Sequence, residues 1–424
     1  MTLVMKFGGA SVKDAENVKN VAKIILSHQN YATLIVISAM DKTTNELEFL
    51  AELAEQGKEA ESQTQYQKIQ DFHLKIVNEL FEEEKQLEDC KIALQTYFQE
   101  MSRTVKGILY LNEFPPLTYD KIVSFGELLS TTIVYHYLKS LSNEVLFWDA
   151  RRLIRTDMRY GQGKVIWSLT QENINNQLLS AMKSNSIVIT QGFIGATIAG
   201  KTTTLGREGS DYSAAIFAYC LNAEKMIVWK DVPGILNADP RIKPDAIKID
   251  QLSYHQAVEM TFYGATVIHP KTIQPLYNKN IPLYVKSFKD TSLSGTCIST
   301  EKDLHEIPKY IMKKKQTFVQ ITPKDFSFMD EAHLQEIFQQ ANQVGLKVNL
   351  SQTSAISLFL AVDESANPLQ KFEAGLTELF HFVFKQDLVL HTVLNYQEED
   401  KILANNALIA QYSGNKMCIL LPKS

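Results

Sequence analysis

Cysteine is scarce in this chain of 424 residues, and its four copies, Cys90, Cys220, Cys297 and Cys418, are scattered. None stands at zinc-ligand or redox spacing from another, which argues against a disulfide framework and for free thiols in a reducing cytoplasm. Long apolar runs are missing as well: no stretch reaches the roughly 18 apolar residues that a membrane-spanning helix requires. The N-terminal Leu3-Val4-Met5-Lys6-Phe7 reads as a strand and not as a signal peptide. Blocks of basic charge are absent, and the net charge of −5 makes nucleic acid an unfavoured partner. The nine histidines are unclustered, so no dedicated transition-metal site is expected. What is present is the composition of an ordinary soluble protein, long enough for two or three domains with cores of their own.

One stretch stands out, Thr202-Thr203-Thr204-Leu205-Gly206-Arg207-Glu208-Gly209-Ser210-Asp211-Tyr212-Ser213-Ala214-Ala215. It reads as a glycine-hinged loop opening into a small, apolar, buried helix from Ser213 to Leu221, with Ser210 and Asp211 where a helix takes its first polar residues. A helix N-terminus attracts phosphate or carboxylate, and Arg207 can grip a carboxylate in two places. An ordinary capped loop has the same appearance. At the chain's start, Lys6-Phe7-Gly8-Gly9-Ala10-Ser11-Val12 breaks a strand with glycines before a helix with apolar residues at Val18, Val21, Ala22 and Ile25. Backbone N–H groups in that layout can cradle a phosphate.

Further along, Thr33 to Ile37 is a β-branched run followed by Ser38-Ala39-Met40 and Thr43-Thr44-Asn45. Residues 46 to about 113 hold few glycines or prolines and read as two or three amphipathic helices inserted into an α/β body. Tyr119 to Leu141 is a long helix, and Glu127 shares a stripe with Val123 and Val134, so a partly buried carboxylate in need of a partner is expected there. Gly195-Ala196-Thr197-Ile198-Ala199-Gly200-Lys201-Thr202 satisfies the P-loop pattern. The three threonines, Leu205 and Gly206 that follow favour a β-hairpin instead, with Lys201 at its tip. Glu224 to Lys230 is a strand, Ser253 to Phe262 a helix, and Ile281 to Ser287 a last strand. Residues 302 to 315 read as a charged linker. Beyond it come Thr317 to Ile321, Glu331 to Asn342, Lys347 to Leu350, Ile356 to Val362, Leu369 to Phe380 and Leu388 to Leu394, in the strand–helix–strand–strand–helix–strand order of a ferredoxin-like unit.

The Lys-Phe-Gly-Gly start and the Gly-Arg-Glu-Gly-Ser-Asp loop together resemble the aspartate kinase family of the amino-acid kinase superfamily. The likeness covers roughly residues 3 to 305. It implies a three-layer α/β/α fold with a central, mostly parallel sheet over 1–305, interrupted by the helical insertion at about 46–113. The C-terminal 306–424 is similar to the ferredoxin-like ACT regulatory domain, with Lys401 to Leu421 too short for a second complete unit.

The resemblance also implies site roles. Lys6, with Gly8 and Gly9, would meet the ATP phosphates. Ser38 and Thr44 match the family's Ser-Ala…Thr-Asn segment of the aspartate site, and Ser210 joins that site. In Ser124-Phe125-Gly126-Glu127 the glutamate of the family's Ser-x-Gly-Glu motif, Glu127, would hold the substrate's α-amino group. Arg207 would take a substrate carboxylate, and Lys6, Arg207 and Asp211 form the catalytic set. Phe193, Lys230, Asp231, Arg241 and Thr266 fall at nucleotide-binding positions. Lys230 stands in place of the usual threonine, Leu236 of a common tyrosine, and Thr266 of a lysine. His269, before Pro270, reads as structural. Ala332-His333 and Asn349 depart from the pattern of lysine-sensitive members.

The implied reaction is transfer of the γ-phosphoryl of ATP, carried with Mg²⁺, to the β-carboxylate of L-aspartate, on the route to lysine, threonine and methionine. The implied assembly is a homodimer or larger homo-oligomer held by the ACT-like part. A non-catalytic amino-acid-sensing subunit with a degenerate kinase body is the competing expectation.

Overall fold

A computed structural model describes residues 2–28, 30–179, 181–182, 186–265, 268–301 and 307–422. The apolar start folds as strand β1 (Thr2–Phe7), in which Leu3, Val4, Met5 and Phe7 are buried. A 3-10 turn (Gly9–Val12) leads to helix α1 (Ala15–Leu26), which Asp14 caps by accepting from the Asn17 N–H. Strand β2 (Ala32–Ile37) follows, then α2 (Thr43–Glu55), α3 (Glu59–Leu80) and α4 (Glu84–Leu111). These last three are the expected helical insertion. Helix α5 (Pro116–Leu141) begins three residues before the expected Tyr119, because Pro116 occupies its first turn, where the missing N–H costs nothing.

Strand β3 (Val145–Phe147), helix α6 (Ala150–Leu153), strand β4 (Arg155–Thr156) and helix α7 (Trp167–Asn173) lead into β5 (Ile187–Gln191). The P-loop lookalike is a hairpin: β6 (Ile194–Thr197) and β7 (Thr202–Thr204) pair antiparallel, and Lys201 is exposed beside the turn. Helix α8 (Gly209–Cys220) starts four residues before the expected Ser213, so Ser210 and Asp211 lie inside its first turn and Glu208 is the cap residue. Strand β8 (Lys225–Lys230), strand β9 (Gln251–Ser253), helix α10 (Pro270–Asn278), strand β10 (Leu283–Ser287) and strand β11 (Thr296–Ser299) complete this part, while helix α9 (Tyr254–Phe262) falls from His255 onward in the second compact unit. Ile281 to Ser287 is therefore not the last strand, since β11 turns back antiparallel on β10.

The strands join in the order β3-β5-β2-β1-β8-β10-β11-β9, and all neighbours are parallel except β10 and β11. Side chains alternate between the faces of a strand. Leu3, Met5 and Phe7 share a core with α1 and α5, whereas α8 packs on β1, β2 and β8 from the other side. The result is a three-layer α/β/α body. Because β2 and β8 flank β1 on opposite sides, the carboxyl end of β1 is the topological switch point, where open parallel sheets bind ligands.

From Lys309 onward the expected linker is strand. Strand β12 (Lys309–Pro323) begins within it, with Lys309 buried, and bulges after Lys313, where Lys315 takes φ 56°. Its lysines disguise a ladder that pairs with strands on both sides. Helix α11 (Glu331–Gln343), strands β13 (Val348–Thr353) and β14 (Leu358–Asp363), helix α12 (Ala366–Leu376) and strand β15 (Phe380–Leu394) realise the ferredoxin-like plan. Strand β15 starts at Phe380, well before the expected Leu388. Strands β16 (Ile409–Ser413) and β17 (Lys416–Pro422) add a hairpin to the same sheet, in the order β13-β14-β12-β15-β17-β16.

By compactness the chain divides into 1–235 with 250–254 and 268–302, and 236–249 with 255–267 and 303–424. The expected junction at 305/306 lies outside the described residues.

Candidate active site

Lys6 is the one charged residue of β1. The alternation of side chains puts it on the same face as Val4, the face covered by α8. Its ammonium lies 2.6 Å from Asp211 Oδ1 in the first turn of α8, with both side chains nearly buried. Burial pushes the Asp211 carboxyl up, but Lys6 and then Lys230 more than offset it, so Asp211 stays below the usual carboxylate range and is ionised at neutral pH.

Around this pair opens a cavity of about 600 Å³ at the carboxyl ends of β1, β2 and β8. Gly8 and Gly9 follow β1, Ser38 and Thr44 follow β2, and Lys230 and Asp231 follow β8; all six line it. So do Lys6, Glu127, Phe193, Arg207, Ser210 and Asp211. Gly9 is confined by close approach, because a Cβ there would stand 2.6 Å from the Ala39 carbonyl oxygen. Its own carbonyl accepts from the Asp41 N–H at 3.1 Å, which holds the loops after β1 and β2 together. Gly206, at φ 79°, makes the turn that presents Arg207 at the mouth of the cavity. Arg207 is exposed and carries no ion pair among the described residues. The N–H groups of the first turn of α8, beside it, are of the kind that have no partner inside a helix.

Glu127 is 3 % exposed. Its Oε1 accepts from the Ala39 N–H at 3.2 Å, whereas Oε2 is buried without a hydrogen-bond partner. Desolvation raises its pKa to about 8, only partly countered by the Ala39 N–H and the Lys6 charge. A buried carboxylate with its hydrogen bonds this incompletely satisfied has its charge stabilised by an arriving cation.

One expected residue, Arg241, is not among those that line the cavity. Arg241 is exposed and forked onto its neighbour Asp239, with Nη2 2.6 Å from Oδ2. It belongs to the second compact unit. Thr266 lies outside the described residues. His269 caps α10, its Nδ1 accepting from the Lys271 N–H, and its backbone N–H donates to Glu208 at 3.0 Å.

Several cavity residues escaped the motif reading. Glu48 stands one helical turn beyond Thr44 on α2, and Tyr119 two turns before Glu127 on α5; the Tyr119 hydroxyl donates to Glu48 Oε1 at 2.5 Å. Helical spacing from Thr44 and Glu127 would have found both. Asp41, Phe193 and Glu208 hold positive φ angles of 45°, 65° and 53° around the cavity, strain that no sequence pattern announces.

A sequence profile of the amino acid kinase family matches residues 1–287. The chain is 34 % identical over 370 residues to lysine-sensitive aspartokinase 3 of Escherichia coli K12, covering 86 % of this chain and 79 % of that protein. It is 32 % identical over 373 residues to the chloroplastic aspartokinase 1 of Arabidopsis thaliana, again 86 % of this chain but 64 % of the plant protein. Among solved structures, E. coli aspartokinase III in complex with aspartate and ADP superposes with a TM-score of 0.85 at 28 % identity, over 100 % of this chain and 96 % of that one. The same enzyme with lysine and aspartate gives 0.80 at 29 % identity, over 99 % and 96 %.

Proposed function

This chain belongs to the amino acid kinase family and, within it, to the aspartokinases, and from that premise we propose how its residues divide the work. The reaction is transfer of the γ-phosphoryl group of ATP to a carboxylate of L-aspartate. The acceptor is the β-carboxylate and the product 4-phospho-L-aspartate. A carboxylate with a pKa near 3.9 is already ionised, so no general base is needed. The barrier is electrostatic, because an anion must approach a polyanion. At an effective dielectric near 20, two unit charges 4 Å apart repel by about 4 kcal/mol.

Lys6 offsets that repulsion at the transferring phosphoryl group, and the turn at Gly8 and Gly9 lets the phosphates approach the backbone. Asp211 holds the Lys6 ammonium in place. Glu127 receives the aspartate ammonium, Arg207 its α-carboxylate, and Ser38, Thr44 and Ser210 complete the acceptor pocket. Phe193, Lys230 and Asp231 take the nucleotide side. Mg²⁺ fits as a companion of the nucleotide: Asp211 and Asp231 both line the cavity and Asp211 is held ionised, which suits an ion that takes one or two carboxylates and leaves the rest to phosphate and water. When bound it neutralises phosphate charge. The C-terminal ferredoxin-like unit is the proposed seat of homodimer formation.

The observation that carries this reading is the half-satisfied Glu127 carboxylate facing the same cavity as the Lys6–Asp211 pair and the unpaired Arg207. Hydroxylamine trapping tests it. ATP, Mg²⁺ and hydroxylamine should yield a ferric-staining hydroxamate with L-aspartate and none with L-glutamate or without amino acid. Colour with glutamate would overturn the acceptor, and no colour at all would overturn the reaction.

A further inference from the structure

Asp120 is not among the residues lining the cavity, yet it is fully buried, and among the described residues it has no ion pair. Its carboxylate is used up by backbone and hydroxyl donors. Oδ1 accepts from the Gly161 N–H and from Thr204 Oγ1, each at 2.8 Å, and Oδ2 accepts from the Thr204 N–H at 2.8 Å. The Thr204 carbonyl in turn accepts from the Gly163 N–H at 2.7 Å. Thr204 is thereby clamped at its amide, hydroxyl and carbonyl.

The two ends of this clamp matter. Asp120 and Glu127 are seven residues apart on α5, so they lie on one face, about 10 Å apart along the helix axis. Thr204 is three residues before Arg207, joined to it through buried Leu205 and the Gly206 turn. Asp120 therefore ties the helix that carries Glu127 to the strand that delivers Arg207. We propose that Asp120 is a positioning residue for the acceptor amino acid: it sets the separation between the ammonium-binding Glu127 and the carboxylate-binding Arg207 without contacting the substrate. This rests on the roles given to Glu127 and Arg207 above. Its physical logic is that a rigid amino acid is bound by two charges at once only if their spacing is held, and a misplacement of about 1 Å costs up to about a hundredfold.

Steady-state kinetics on the full chain test it. Asp120→Asn keeps the shape but turns an amide toward donors that need an acceptor. It should raise the L-aspartate KM by about tenfold while the ATP KM stays within about twofold. An unchanged aspartate KM, or equal rises in both, would overturn the proposal, because general loosening of the fold does not single out one substrate. Should Asp120→Asn fail to fold, Thr204→Val and Thr204→Ser decide. Valine removes the Oγ1 donor and should raise the aspartate KM by about threefold, and serine, which retains it, should not. Equal behaviour of the two would refute the clamp. Arg207→Ala belongs in the same series. If it raises the aspartate KM and Asp120→Asn does not, only the positioning role falls; if it leaves that KM unchanged, the site assignment beneath it falls.

Discussion

Two polar clusters, one in each compact unit, are built to opposite ends. In the C-terminal sheet Lys313 Nζ lies 2.6 Å from Asp363 Oδ1 and donates to Asn349 Oδ1 at 2.8 Å. Asn349 Nδ2 donates to Gln316 Oε1 and Asp363 Oδ1, and Gln316 Nε2 also donates to Asp363. No buried polar atom of these four residues lacks a partner. In the cavity, Glu127 Oε2 has none, and Arg207 stands without a counter-ion. A closed network specifies a fold, because every alternative arrangement leaves a desolvated group unpaired. An open one costs stability, and that cost is repaid only when a ligand of matching charge arrives. The difference separates residues that hold the chain together from residues proposed above to meet substrate.

The sharpest break of this contrast is Lys6→Ala, which removes the cation proposed to face the transferring group. Turnover should fall by at least about a thousandfold in the protein that remains folded, and the melting temperature should fall as well because the buried Asp211 carboxylate loses its partner, as judged by kcat at saturating substrates and by calorimetry. Near-normal turnover would remove Lys6 from the chemistry. Arg207→Ala comes next: the aspartate KM should rise by about a hundredfold with the ATP KM nearly constant, since an exposed arginine contributes through the ligand and not through the fold.

Glu127→Gln sharpens the comparison through pH. The fold raises this carboxyl from its ordinary 4.5 to about 8, so it favours the protonated form. The folded state then binds more protons than the unfolded one between those values, and stability contributed below pH 4.5 is lost as pH rises through about 8. The glutamine variant should therefore melt above the wild type at about pH 8 and with it at about pH 4. Aspartate binding, which needs the ionised form, should tighten in the wild type as pH approaches about 8, and calorimetry on the variant should show weak binding with that dependence gone. A variant that melts lower at high pH would show that Glu127 is a satisfied structural group.

The smallest effect belongs to the closed network. Burial pushes Asp363 up, but hydrogen bonds from Gln316, Lys313 and Asn349 hold it below the usual range. Asp363→Ala should cost about 1 kcal/mol in denaturant titration, because the half-exposed pair is partly solvated, and should leave kcat nearly intact. A large loss of turnover without loss of stability would reverse the assignment of the two clusters.

Much of the architecture was legible because it repeats. The helices of the insertion and α5 follow an apolar period of 3.6, and the strands around β1 are short apolar runs buried on both faces. The P-loop lookalike at Gly195 to Thr202 was separable from a true one by the residues that follow it. Where local chemistry misled, tertiary burial had overridden it. The lysines of β12 looked like a linker, yet the strand pairs with β15 from Lys309 onward and Lys309 is buried, and α8 begins early because Glu208 accepts a left-handed backbone as its cap.

Local order in the chain is enough to say that Lys6 ends a strand beside glycines, that Glu127 sits on a helix face and that Arg207 precedes a helix. It cannot say that these residues meet. Asp120 and Thr204 are 84 positions apart, and nothing in either neighbourhood announces their hydrogen bonds. The parallel sheet decides it. Each crossover returns the chain to the same edge, β2 and β8 fall on opposite sides of β1, and the loops after all three are delivered to one end. The orphaned oxygen of Glu127 and the exhausted carboxylate of Asp120 are both glutamate or aspartate on a helix in the sequence. Only the packing around them leaves one with an open oxygen and the other with none.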